Sequence, residues 1–195
     1  DWRKRWSQGN FPFAWVQLPN FKARSPDPNA LSSWALVRES LLLGLKEPAT
    51  AMAVAIDIGE AGNIHPKNKQ DIGDRLAQAG LRIAYNRDLV AMGPLMRSIT
   101  FENDRVRVQF DHVGGGLIVR GQGREVRGFV VAGPDRRFHR AEARIEGRGI
   151  VARSKEVPDP IAIRYAWADN PDCNLFNKEG IPASPFRSDG WASER

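Results

Sequence analysis

The residues best suited to chemistry stand in the stretch from Gly59 to Lys69, Gly-Glu-Ala-Gly-Asn-Ile-His-Pro-Lys-Asn-Lys. It is polar, contains two glycines and is too long for a minimal turn. His65 is the side chain best matched to moving a proton near neutral pH. Pro66 has a fixed φ and biases the preceding residue toward extended backbone, so the imidazole stands on a stiff platform. Local capping or packing is the competing use of a His-Pro pair. Trp34 and Arg38 sit one helical turn apart and face the same way, so they offer a stacking surface and an anion ligand. Core packing of Trp34 and a surface ion pair for Arg38 are the plainer alternatives.

The other histidines have weaker settings. His112 precedes Gly114-Gly115-Gly116, and His139 lies in an apparent edge strand. The glycine triplet falls between strands rather than ahead of a helix, so a turn or bulge explains it better than a phosphate cradle. Ser32, Ser33 and Ser40 lack the Gly-x-Ser-x-Gly elbow of a nucleophile. Cys173 is the single cysteine, which excludes an intrachain disulfide and a zinc finger. No metal-ligand spacing appears, and no cofactor is expected.

The elements that must hold these residues fall into two regimes. Phe11–Leu18 and Ala51–Ile58 are continuous apolar runs, the pattern of strands covered on both faces. Leu31–Leu45 between them is helical in character, with Asn29 or Ser32 as cap, and Asn68–Ile83 places Ile72, Leu76, Ala79 and Ile83 on one helical face. Strand, helix, strand, loop, helix is the grammar of a parallel α/β sheet. Past Met92-Gly93-Pro94 the period drops to two. Val106, Val108 and Phe110 alternate with polar neighbours, as do Ala141, Ala143 and Ile145. Further short strands are expected at 117–119, 129–131, 150–152 and 161–167, with glycine turns between them, the pattern of an antiparallel sandwich. Beyond Asp169 the chain reads as ordered loop. The expected division is 1–93 and 94–195.

Composition narrows the field. Of 195 residues, 42% are hydrophobic and 27% charged, close to a globular average. No apolar run approaches the ~20 residues that cross a bilayer, so no membrane partner is expected. The net charge is +6, but each half contributes +3 with signs interspersed, unlike the clustered stripe that holds a phosphate backbone. No nucleic acid is expected.

Several strings resemble the sialate O-acetylesterase family: Trp2-Arg3, Trp6, Phe11-Pro12-Phe13, Trp34 with Arg38-Glu39, and Ala53-Val54 with Asp57-Ile58-Gly59. More specific is Ile64-His65-Pro66-Lys67-Asn68-Lys69-Gln70. Phe110-Asp111-His112-Val113, Tyr165-Ala166-Trp167 and Asn174-Leu175-Phe176-Asn177 continue the likeness to about Asp189. The resemblance implies the C-terminal part of an SGNH-type three-layer α/β/α serine esterase domain over 1–93, followed by a β-sandwich module over 94–195. It implies an acetylated carbohydrate as substrate, His65 as catalytic base, and a nucleophilic serine in an N-terminal half of the same protein. That chain alone would then be inactive. Asp57 is the favoured orienting acid, with Glu60 or a Ser-His dyad as alternatives, and Trp34 and Arg38 are the expected sugar contacts. A periplasmic or secreted location follows from the same likeness. A non-catalytic carbohydrate-binding or structural module, stacking sugars on Trp15, Trp34 or Trp167, is the alternative.

Overall fold

Two strands, β1 (Phe13–Gln17) and β2 (Thr50–Val54), lie parallel, from Phe13 opposite Thr50 to Gln17 opposite Val54. This is a computed structural model, and it describes residues 1–191; the last four residues of the expected second domain, 192–195, lie outside the described residues. Ahead of β1, a short helix α1 (Trp2–Trp6) packs Trp6 on Phe11 at 5.3 Å between ring centroids.

Parallel strands need a crossover, and α2 (Ser33–Leu43), extended by a 3₁₀ turn at Gly44–Lys46, supplies it. The helix begins where Ser32, in extended backbone, accepts the Ala35 N–H at 3.0 Å, satisfying one of the orphan donors of the first turn. Ala51 to Val54 of β2 are at most 2% exposed. The sheet strand is shorter than its apolar run, because the chain turns at Ala55, whose carbonyl accepts the Ile58 N–H. Helix α3 (Gln70–Ile83) then packs back on the strand pair, and Asn68 caps it by accepting the Asp71 N–H. No described helix is long and apolar enough to cross a membrane.

The rest is antiparallel. β3 (Leu95–Glu102), β4 (Arg105–Asp111), β9 (Gly149–Arg153) and β8 (Glu142–Glu146) form one sheet in the order β3-β4-β9-β8. A second holds β12 (Phe186–Arg187), β10 (Ala162–Tyr165), β6 (Phe129–Ala132) and β7 (Phe138–Arg140), in the order β12-β10-β6-β7. β5 (Leu117–Val119) pairs with β11 (Leu175–Asn177). Alternation in β4 works as its sequence requires: Val106, Val108 and Phe110 are buried while the intervening residues stay partly or fully exposed. Inward side chains from both larger sheets, including Val106, Ile150, Val131 and Ile163, share one hydrophobic cluster with Met52, Val54 and Ile56 of β2 and its exit turn. The chain is therefore mixed α/β, with few helices and mostly antiparallel sheets.

The segment after Asp169 holds β11 and β12 in addition to ordered loop. Both are two or three residues long, below the length at which alternation is visible. Residues 168–187 run back over the first part of the chain, and that return path secures the candidate site.

Candidate active site

His65 is exposed, and the loop that carries it is tied down at several points. The loop leaves β2 through Asp57, whose carboxylate takes a two-pronged grip from Arg75 of α3 at 2.7 and 2.8 Å. Arg75 also donates to the Val54 carbonyl, which fixes the strand end to the helix. The Gly59 N–H donates to Asn20 Oδ1 at 2.7 Å, and a Cβ at Gly59 would run into the Asn20 carbonyl. Only glycine permits that approach. The Lys22 N–H reaches the Ala61 carbonyl at 3.0 Å. Glu60 folds back to accept the Lys67 N–H at 2.9 Å, and Asn63 Oδ1 accepts the His65 N–H at 2.9 Å, an Asx turn. Pro66 is buried.

The outcome is an imidazole standing in solvent on a pinned backbone. Among the described residues its nitrogens have no hydrogen-bond partner. Such a group is free to take a proton from, and return it to, an atom brought against it.

The expected orienting acid is placed elsewhere. Asp57 is not hydrogen-bonded to His65: its oxygens face Arg75 and, at 3.3 Å, Arg120 from just after β5. Arg120 is itself held by the Gly180 carbonyl and lies 3.9 Å over the Phe176 ring. The physical reason is charge: a carboxylate with side-chain exposure of 10% is retained by the guanidinium buried beside it. Glu60 is occupied with the Lys67 backbone. Neither carboxylate touches the imidazole.

Trp34 and Arg38 do face the same way, but toward the protein. Both donate to the Pro19 carbonyl, Trp34 from Nε1 and Arg38 from Nη2, each at 2.7 Å. Arg38 is 0% exposed and also grips the carbonyls of Leu18, Ala168 and Asp169. Burial pulls its pKa down to about 10, against the opposing pull of Cys173 and Asp169. A substrate carboxylate has no path to a guanidinium engaged in this way, so Arg38 corrects to a backbone clamp and not a sugar ligand. Trp34 packs beside Phe21 at 5.5 Å. Trp15 is half-buried, its indole against Gly44.

His112 is exposed, and partial desolvation lowers its pKa despite Asp111. Burial pushes the Cys173 thiol up to about 12, which removes it as a nucleophile near neutral pH. Among the described residues, no three His, Cys, Asp or Glu side chains converge on a possible ion position. The sequence reading missed Arg75 and Arg120. Arg75 lies one turn from Ile72 and Ala79, on the flank of the inward face of α3, where it is 6% exposed, and nothing local shows which carboxylate it will meet.

No protein-family model matches the chain. A crystal structure of a carbohydrate acetylesterase from Xanthomonas citri superposes with a TM-score of 0.92 at 46% identity, covering 97% of this chain and 44% of that one. The sialate O-acetylesterase of Mus musculus is 25% identical over 95% of this chain, and that of Pongo abelii 28% identical over 95%. All of these relatives are carbohydrate esterases. The chain belongs to the sialate O-acetylesterase/carbohydrate esterase family. It spans 38–40% of the length of those two curated relatives.

Proposed function

We propose that this chain is the C-terminal part of a carbohydrate O-acetylesterase of SGNH type. Residues 1–93 would end the three-layer α/β/α catalytic domain, and 94–195 would form a β-sandwich module attached to it. His65 acts as general base toward a serine in polypeptide outside this chain. It takes the hydroxyl proton as the serine oxygen attacks the acetyl carbonyl, then gives that proton to the departing sugar oxygen. Water, deprotonated by the same imidazole, releases acetate from the acyl-enzyme. The substrate is an acetyl ester on a sugar, and the 195 residues alone do not turn it over. A periplasmic or extracellular setting suits such a substrate.

The observation that carries the reading is the exposed, unpartnered imidazole on a pinned loop at the carboxyl end of a parallel strand, where α/β folds gather their sites. With Asp57 and Glu60 both occupied, the arrangement favours a Ser-His dyad in which the loop backbone orients the ring.

The test is to assay a protein joining this chain to the remaining length seen in its relatives, using p-nitrophenyl acetate and acetylated oligosaccharides. His65→Ala is expected to lower kcat by about 10³-fold or more with folding intact, as loss of the base does in serine hydrolases. Undiminished activity in that variant would refute the role.

A further inference from the structure

A cleft of about 480 Å³ opens between the segment that leads into α2 and the sheet β12-β10-β6-β7. That volume lies in the range of small-ligand sites. None of its lining residues comes from the His65 loop.

Its walls combine two features. The first is aromatic: Trp167 and Trp191 are both half-buried and line the cleft, and Phe138 lies 5.6 Å from Trp191 between ring centroids. The second is a set of guanidiniums stacked among those rings. Arg164 lies 4.0 Å over Phe138 and Arg187 4.9 Å over Trp167. Each is locked by a two-pronged carboxylate pair, Arg164 with Asp189 at 2.7 and 2.8 Å, and Arg187 with Glu39 at 2.8 Å twice. At the rim, Arg136 lies 5.4 Å over Trp191 beside Asp135, both exposed in the turn that follows β6. Arg136 has no ion pair among the described residues.

We propose that this cleft binds a neutral pyranose unit of a glycan, separately from the catalytic site. Three guanidiniums are matched by three carboxylates, so the cleft has little net charge to attract an anion. Polar groups so dense do not suit a purely apolar ligand. A pyranose presents a C–H face that packs on indole and an equatorial rim of hydroxyls that donate and accept at once. Arg136 and the third guanidinium nitrogen of Arg164 supply donors, and Asp135 supplies an acceptor, with Asp135 Oδ1 already accepting the Arg137 N–H. The stacked, ion-paired arginines hold the wall in one conformation, which lowers the entropy lost on binding.

The experiment uses the 195-residue chain itself and does not depend on catalysis. Cellotetraose, xylotetraose and mannotetraose are each titrated to about 10 mM, a concentration that reveals millimolar affinity, while the six indole N–H resonances are followed by ¹H–¹⁵N NMR. At least one of these probes is expected to shift the signals of Trp167 and Trp191, with little change on raising salt. Trp191→Ala and Arg136→Ala are each expected to weaken binding about fivefold or more, the loss of one stacking or charged contact. Should Trp191→Ala disturb the fold, Arg136→Ala and Asp135→Asn decide. Silence with all three oligosaccharides overturns the proposal. So does binding unaffected by the substitutions, or shifts seen only with N-acetylneuraminate and abolished by salt.

Discussion

Replacing Arg38 tests the clamp that joins β1, α2 and the returning segment at Ala168–Asp169. Its guanidinium makes four hydrogen bonds to backbone carbonyls at 2.6 to 2.9 Å while fully buried. A bond from a charged donor contributes about 1.5–3 kcal/mol. Against this stands the burial of the charge. A pKa drawn down from 12.5 to about 10 corresponds to a cost of about 3 kcal/mol. At the low end of the range the bonds still outweigh that cost by about 3 kcal/mol. Arg38→Met keeps most of the volume and leaves the carbonyls unpaired, so it should lose about 3 kcal/mol or more in urea unfolding followed by circular dichroism. For a chain of this length that is a fall in Tm of about 6–12 °C. Arg38→Lys, with one cationic nitrogen in place of the fork, should fall between. A loss below about 1 kcal/mol in Arg38→Met would refute the reasoning, because bonds of this number and length would then be compensated elsewhere.

Asp57→Asn removes the partner of a guanidinium that is 7% exposed, so it should destabilise by about 3–5 kcal/mol in the same assay. In the longer enzyme its effect should appear as lost stability and not as a displaced pH profile, the readout that separates a loop anchor from an acid bonded to His65. Gly59→Ala should force the loop off Asn20 and lower both Tm and activity, and a variant with full activity would mean the loop does not need that seat. Asp189 sits in a buried pair with Arg164, whose hydrogen bond holds its carboxyl below the usual range although burial alone would raise it. A lowered folded pKa gives stability that is complete above about pH 4 and fades as pH falls through the lowered value. Asp189→Asn should therefore flatten the acid limb of the stability curve, and an unchanged limb in acid titration by fluorescence would count against the pair.

How much of this was legible depended on whether a signal is local. The runs 11–18 and 51–58 both announced strands, but only β2 is buried on both faces; β1 is half-buried from Phe13 to Val16. The Ser32 cap and the α3 stripe were readable because their signals are local too. Val106, Val108 and Phe110 showed β4 through period alone. β3 was missed because Leu95–Glu102 is solvated on much of both faces, and β11 and β12 because they are too short to show a period. His65 was visible from residue type and from Pro66. The partners of Asp57 and Arg38 were not, since Arg75 and Arg120 are 18 and 63 residues from Asp57, and Ala168 is 130 from Arg38. No local pattern encodes which distant carbonyl or guanidinium will arrive.

Gln17, at the buried end of β1, donates from Nε2 to Ser184, 167 positions later, and Glu39 waits for Arg187, 148 positions later. During synthesis the first strand pair therefore emerges long before the groups that complete its surroundings. A ribosome stalled anywhere between Gly93 and Ser184 would hold a half-finished hydrophobic surface with its polar stitches missing, open to proteases and to neighbouring chains. Gene fusions or deletions that trim the last few strands should then surface as loss of soluble protein well before any change in chemistry becomes measurable.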